Sequence, residues 1–365
     1  MEASFSDLLF CSSLYFVSLL LLYKAYLKKP VSRIRVFLAI IAFATACVFN
    51  YISGDYYHYK AWFEIYSIIA KSNIEDVYSI IASYTSSYSV FRMIVWGGAL
   101  LLFLYTCKLV KIDFALLFFI FVSRYFIVFS YARVSLCMAI CFCGFAMMSQ
   151  LWEKKFLMGL LGVAVMGLSV YFHKTGVMAI GICLLSVLIL KQNRINIVLL
   201  IILLPLLIYL ISSFVNLYQE AEFSETSIMI EGGQRYLEGG ASRYSSFTKN
   251  VVDIIWRIPY FVLMVIYIKM IHADMFNTMP VYIRLFANAS VLSVLISFLF
   301  LIVPGINSFV LYYRLINFAM IPSVIFVTYC YTNNICMKLV KAFYYMSVWG
   351  VTLKLAFKIV ISIMY

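Results

Sequence analysis

The chain has 365 residues, 65% of them hydrophobic and only 12% charged, with a mean hydropathy of +1.01. Soluble domains carry about 25% charged residues, so a soluble globular protein is excluded. The formal charge of +13 has no basic soluble domain to occupy, which argues against a nucleic-acid partner and for a lipid bilayer.

Apolar runs close to the ~20 residues needed to cross a bilayer recur along the chain. They predict about 12 transmembrane helices, near 7–27, 34–52, 91–110, 112–129, 131–150, 156–173, 175–190, 195–215, 251–271, 282–303, 309–331 and 340–361. The fourth and seventh are short, and the twelfth carries Lys354 and Lys358. The expected fold class is an all-α polytopic membrane protein, one integral membrane domain over 1–365. The opening Met1-Glu2-Ala3-Ser4-Phe5-Ser6-Asp7 lacks a basic region, so the first run reads as a retained span and not a signal peptide.

Orientation follows from lysine and arginine in short loops. Lys24, Lys28, Lys29, Arg33 and Arg35 surround the first loop. Lys108 and Lys111 mark the third, Lys154 and Lys155 the fifth, Lys191 and Arg194 the seventh. These alternate loops are expected on the cytoplasmic side. In that topology 11 of 17 lysines lie inside, whereas 7 of 11 arginines (92, 124, 133, 235, 243, 257 and 314) lie outside. Positive charge alone does not distinguish the two residues. The planar fork of arginine suits phosphate, so the outer excess points to an anionic ligand.

Along the chain, residues 53–90 form the first irregular outer segment. It opens Ser53-Gly54-Asp55-Tyr56-Tyr57-His58-Tyr59-Lys60, and Tyr59, Phe63 and Tyr66 then make an aromatic stripe at helical spacing. Such a segment is expected to lie in the interface, its stripe anchored at the membrane surface. Asp55 is a candidate catalytic group, although Ser53, Gly54 and Asp55 also fit a helix N-cap region.

Arg124 and Arg133 bracket the next outer turn beside tyrosines, with no acidic residue within ten positions. His173 ends the sixth span in Tyr171-Phe172-His173-Lys174-Thr175-Gly176. The neighbouring Lys174 disfavours a second positive charge, leaving a neutral imidazole able to accept a proton.

The second outer segment, 216–250, has 8 charged residues in 35 and the paired glycines Glu231-Gly232-Gly233 and Glu238-Gly239-Gly240, followed by Arg243 and Tyr244. It is expected to be a large, mobile outer loop: a lid, a binding loop or a disordered connector. Arg314 falls just inside the eleventh span, where it needs a partner or a wet cavity; an internal ion pair with Asp253 or Asp55 is the alternative to a ligand. Arg257, four residues after Asp253, reads as a structural pair with it.

The nine cysteines lie in spans or at cytoplasmic ends, so no disulfide framework is expected. Cys137, Cys141 and Cys143 read as small packing residues. No metal site, cofactor site or nucleotide phosphate loop is expected.

Three blocks resemble the Wzy-type polysaccharide polymerases, particularly the EpsG-like branch. They are Gly54-Asp55-Tyr56-Tyr57-His58-Tyr59 with its aromatic continuation, Ser123-Arg124 through Arg133 to Trp152-Glu153-Lys154-Lys155, and Phe172-His173-Lys174-Thr175-Gly176. The likeness covers roughly residues 40–190. Arg133 and Gly144 also match the spacing of an Arg-x10-Gly motif described in such polymerases, but both fall within one predicted helix and the coincidence is discounted.

The resemblance implies a GT-C-like glycosyltransferase in the bacterial inner membrane, with its active site facing the periplasm. Its substrates would be undecaprenyl-diphosphate-linked oligosaccharides, and a chain-length regulator is an implied partner. Arg124, Arg133, Lys174, Arg243 and Arg314 would bind the diphosphate, without a metal. Tyr56, Tyr59 and Tyr244 would bind glycan, and Asp55 or His173 would serve as the base. An O-antigen ligase and a lipid-linked oligosaccharide flippase remain alternatives. A membrane acyltransferase ranks below them, since His272 stands isolated on the cytoplasmic side.

Overall fold

The computed structural model describes residues 5–49, 60, 63–64, 76–126, 132–173, 175–190, 247–302 and 317–364. These contain twelve α-helices: α1 Phe5–Tyr26, α2 Arg33–Val48, α3 Asp76–Ser83, α4 Tyr88–Leu109, α5 Phe114–Tyr125, α6 Ala132–Met148, α7 Phe156–Phe172, α8 Gly176–Leu188, α9 Phe247–His272, α10 Val281–Ile302, α11 Met320–Thr332 and α12 Met337–Met364. Short 3-10 turns follow α6 at Ser149–Glu153 and α9 at Phe276–Thr278. There is no strand among the described residues.

Eleven of the twelve predicted spans carry a helix; the eighth, near 195–215, lies outside the described residues. By length and composition three helices among the described residues are able to cross a membrane: α1, α4 and Val134–Glu153. Five more apolar helices are shorter, with 10–17 residues. Among these, α5 rises only about 18 Å over its 12 residues. Its residues from Leu116 to Tyr125 are all buried, so protein and not lipid surrounds it.

The same is true of α6 from Ser135 to Met148 and of most of α11. These helices form the interior. The outer helices instead turn apolar side chains outward, as at Leu20 (72% exposed) and Leu157 (82%). A belt of exposed aliphatic groups is stable only against hydrocarbon. Hydroxyls inside it are satisfied by the preceding turn: Ser12 donates to Leu8 O, Thr106 to Leu102 O, Ser293 to Ala289 O and Thr328 to Val324 O, all at 2.6–2.8 Å.

Helices α6 and α7 approach closely. A Cβ built on Gly162 would stand 2.3 Å from Met148 N and 2.6 Å from Gly144 O, and one on Gly144 would meet Gly162 O at 2.6 Å. Only glycine at both positions permits this approach, the device by which helices associate where no hydrophobic effect drives them together. Gly144 is thereby a packing residue, which accounts for it without the Arg-x10-Gly motif. The chain closes on itself as α12 packs against α1 and α9.

One end of the bundle holds the lysine-bearing turns. Lys28, Lys111, Lys154, Asp274, Asn334 and Cys336 all adopt left-handed backbone there, with φ from 49° to 63°. Glycine is the usual residue at such helix ends. Lysine costs more conformationally, but it puts a cation against the negative pole of the preceding helix.

Cross-links join these turns. Lys28 Nζ donates to Asn334 Oδ1 at 2.6 Å. Glu153 receives Lys111 and Lys155, both at 3.1 Å. Arg284 donates to Leu190 O at 3.4 Å, and Asn288 to Ser186 O and Ile189 O at 3.1 Å. Alternate loops therefore share one side, as the charge pattern predicts. The hydrogen bonds from Lys155 and then Lys111 hold the Glu153 carboxyl below its usual range.

Candidate functional site

The opposite end carries the described site candidates. Arg124 occupies the last turn of α5 and is fully buried. Its guanidinium carbon lies 4.5 Å from the ring centroid of Tyr260 on α9 and 5.5 Å from that of Tyr125. The ring faces supply negative potential, and the C-terminal pole of α5 adds to it. Hydrogen bonds gather the neighbouring helices around this point. Tyr15 of α1 donates to Ser123 O at 3.4 Å, and Tyr125 pairs with Ser323 of α11 at 2.6 Å. A permanent cation is thus held at the meeting of α1, α5, α9 and α11.

His173 is the C-cap of α7 and is also buried. Its backbone N–H donates to Ser169 O at 3.2 Å, and its carbonyl accepts from Gly176 N–H at 2.8 Å. Gly176 is required by space: a Cβ there would lie 2.9 Å from Ser169 C and O and from Val170 N. The ring's Nδ1 faces Thr175, 3.1 Å from its backbone N and 2.7 Å from its hydroxyl. Cys137 of α6 brings its thiol to 3.4 Å from Ser169 O and 3.8 Å from His173 O.

Cys137 is thus level with His173. Arg133 stands one turn earlier on α6, about 6 Å nearer the same end. Arg124, Arg133 and His173, from three consecutive helices, therefore belong to one end of the bundle, away from the lysine turns. Asp55, Tyr56, Tyr59, Lys174, Arg243, Tyr244 and Arg314 lie outside the described residues, as do Tyr66 and most of 53–90 and 216–250.

Two expectations need correction. Arg92, counted among the outer arginines that favour an anionic ligand, is committed to the protein. Its Nε donates to Val48 O at 2.8 Å, its Nη2 to Cys47 O at 2.6 Å and its Nη1 to the Tyr88 hydroxyl at 3.1 Å. It caps the last carbonyls of α2, the helix that leads to Asp55. Phe63, expected to anchor at the membrane surface, packs on Tyr88 and Phe91 instead, with centroids 5.7 Å from each. Tyr78 of α3 similarly reaches Phe91 and Phe172, both at 6.4 Å. Phe63 and α3 are therefore held against α4, and Tyr78 of α3 also against the residue preceding His173.

Sequence reasoning assigned no part to Thr175 or Tyr260. Thr175 stands inside a motif singled out for its histidine, two residues away. Tyr260 has no signal along the chain, because its contact with Arg124 spans elements far apart in sequence. No group of three His, Cys, Asp or Glu side chains is close enough to hold a metal among the described residues. The cysteines there are free thiols, nearly all buried.

No curated protein and no solved structure matches the chain significantly. The model of the EpsG family does, over residues 32–362, from just before α2 almost to the end of α12. With that match covering most of an apolar helical bundle, the chain belongs to the EpsG family of polysaccharide-biosynthesis membrane proteins.

Proposed function

We propose that the protein is an O-antigen polymerase: a GT-C-like glycosyltransferase of 12 spans acting at the periplasmic face of the bacterial inner membrane. It moves the growing glycan from undecaprenyl diphosphate to the next lipid-linked repeat unit. The acceptor hydroxyl attacks the anomeric carbon of the donor. The bond from that carbon to the diphosphate oxygen breaks, and the hydroxyl proton passes to a base, for which Asp55 is the candidate. Undecaprenyl diphosphate departs with the bonding electrons.

The observation that carries this reading is the gathering of Arg124, the first-turn Arg133 and His173 at one end of the bundle, opposite the lysine-rich turns. The leaving group develops negative charge at a depth where water is scarce. Preorganised cations and hydrogen-bond donors stabilise such charge strongly. Tethering both substrates in the membrane supplies orientation. Lys174, Arg243 and Arg314 complete the diphosphate set, and Tyr56, Tyr59 and Tyr244 the glycan contacts.

The test is complementation of a strain lacking its polymerase but retaining its ligase. Wild-type protein restores a ladder of O-antigen lengths, and Arg133→Ala leaves lipopolysaccharide with a single repeat. A full ladder from Arg133→Ala overturns the assignment of Arg133. Deleting this chain from its own host separates the alternative: single repeats that persist without a ladder mark a polymerase, and loss of every O-antigen band marks a ligase instead.

A further inference from the structure

We propose that the lysine-bearing end of the bundle holds a site for one anionic phospholipid, at the seam between α1 and α12. Its headgroup phosphate is received by the hydroxyls of Tyr26 and Tyr345 and the ammonium of Lys341. The site stands at the opposite end from Arg124 and His173 and is independent of the function proposed above.

The starting point is a hydroxyl with no acceptor. Tyr26, at the end of α1, is 6% exposed, and its ring packs on Tyr344, Tyr331 and Phe119 with centroids 4.4, 5.5 and 5.5 Å away. Tyr331 donates its own hydroxyl to Tyr26 O, which fixes the end of the helix. The Tyr26 hydroxyl is buried, yet it makes no hydrogen bond. Buried phenols normally find a partner, because an unmet polar group is costly away from water. The Tyr345 hydroxyl stands near it without completing that bond. Tyr345 is 52% exposed, so its side chain has room to turn and open the seam.

What the seam lacks is an anion. Lys341 precedes Tyr345 by four residues, and both are exposed, so ammonium and phenol share one face of α12. Lys28 gives one proton to Asn334 Oδ1 at 2.6 Å and lies 5.0 Å over the Tyr331 ring. Among the described residues no carboxylate pairs with either lysine. Donors and positive charge therefore converge where the protein offers no acceptor, and a phosphate oxygen supplies it.

The depth order assigns that phosphate to a lipid. Lys341, Tyr345, Trp349 and Leu353 follow every four residues along α12, all exposed. On α1, which packs against α12, the exposed Lys24, Tyr23 and Leu20 run in the same order. From the lysine end inward each helix presents a cation, then aromatic rings with a polar edge, then aliphatic surface. That sequence matches phosphate, glycerol ester and acyl chain. Lysines and aromatic rings at this depth are common to membrane helices; the unmet Tyr26 hydroxyl distinguishes this seam.

The test uses the full-length protein, delipidated in an uncharged detergent, with Tyr26→Phe, Tyr345→Phe and Lys341→Gln. Lys108→Gln, at the end of α4, is the control for charge alone. Phosphatidylglycerol, phosphatidylcholine and inorganic phosphate are titrated in turn. Native mass spectrometry counts bound lipid, and the thermal midpoint reports its effect.

Wild type should retain one phosphatidylglycerol and gain more from it than from phosphatidylcholine. Tyr26→Phe and Tyr345→Phe should bind it about tenfold more weakly, the scale of a hydrogen bond to a charged group. Lys341→Gln should lose about fivefold, and Lys108→Gln should match wild type. Without lipid, Tyr26→Phe should melt at or above the wild-type midpoint, since only an unmet donor is deleted. A lower lipid-free midpoint would show that the hydroxyl has a partner and overturn the proposal. Unchanged phosphatidylglycerol affinity in Tyr26→Phe overturns it too, and the half-exposed Tyr345→Phe decides the same question should Tyr26→Phe misfold. Equal losses in Lys108→Gln and Lys341→Gln would mean charge without a site. Equal stabilisation by phosphatidylcholine refutes selection for an anion, and equal stabilisation by inorganic phosphate refutes the lipid.

Discussion

The α6–α7 crossing allows one substitution to be made twice with opposite consequences. At Gly162 an added Cβ would meet Met148 N at 2.3 Å, about 1 Å inside ordinary contact, and the obstacle is backbone that no rotamer change removes. At Gly167, on the same helix, nothing lies within 4 Å of the same atom. Replacing glycine by alanine favours a helix by up to about 1 kcal/mol in either place. That gain is common to both variants, so their difference isolates the overpacking, about 1–3 kcal/mol.

Gly162→Ala should therefore lower the thermal midpoint of the detergent-solubilised protein by several degrees relative to Gly167→Ala. Gly167→Ala should equal or exceed wild type. Loss of the monodisperse gel-filtration peak after heating reads this directly. Activity should follow, because His173 lies eleven residues further along α7, about 16 Å away by helical rise. Identical midpoints for the two variants would show that α6 and α7 do not cross at Gly144 and Gly162, and the reasoning would fail.

Arg92→Met removes both donors from Cys47 O and Val48 O. Each hydrogen bond from a charged group contributes about 1.5–3 kcal/mol, so a loss of roughly 3–6 kcal/mol for the two and a lower thermal midpoint are expected. Arg92→Lys should recover part of it, and a midpoint unchanged in Arg92→Met would refute the cap. Tyr260→Leu takes away the ring nearest Arg124 and should cost about 0.5–2 kcal/mol of stability, visible as a lower midpoint than for Tyr260→Phe, which keeps the ring face.

Glu153 has a carboxyl held below its usual range, so its contribution is present above the ordinary value of 4.5 and disappears as pH falls through the lowered one. Glu153→Gln should cost under about 1 kcal/mol at pH 7, in keeping with a pair near the surface. Its midpoint should converge on wild type under acid conditions. Divergence at low pH would contradict the assignment.

The helices were legible because a lipid-facing bundle needs unbroken apolar runs, and eleven of those runs carry one. Their ends were less so. Hydropathy starts the third span at 91, whereas α4 begins at Tyr88, where the Ser87 hydroxyl accepts from Val90 N–H. The short α3 disappears into a segment read as a single interfacial stretch, because eight residues carry too few periods to register.

Arg92 illustrates the deeper limit. Beside Tyr88 and at the outer end of a span it has the same local signature as a ligand-binding arginine. What separates the two is the C-terminus of α2, 44 residues away along the chain. Arg124 and His173 were singled out because ionisable groups at this depth are scarce. The contact of the His173 ring with Thr175 was not, since it depends on the turn between α7 and α8.

The contact between α1 and the last two helices has a temporal consequence. Tyr26 stacks at 4.4 Å on Tyr344 and at 5.5 Å on Tyr331, whose hydroxyl donates to Tyr26 O across 305 positions. At about 5–20 residues per second of translation, those partners reach the bilayer some 15 to 60 seconds after Tyr26 does. Until then α1 has a tyrosine-lined flank with no aromatic neighbours from that part of the chain. A ribosome stalled before residue 331 would leave the flank open to quality-control proteases that survey unfinished membrane proteins.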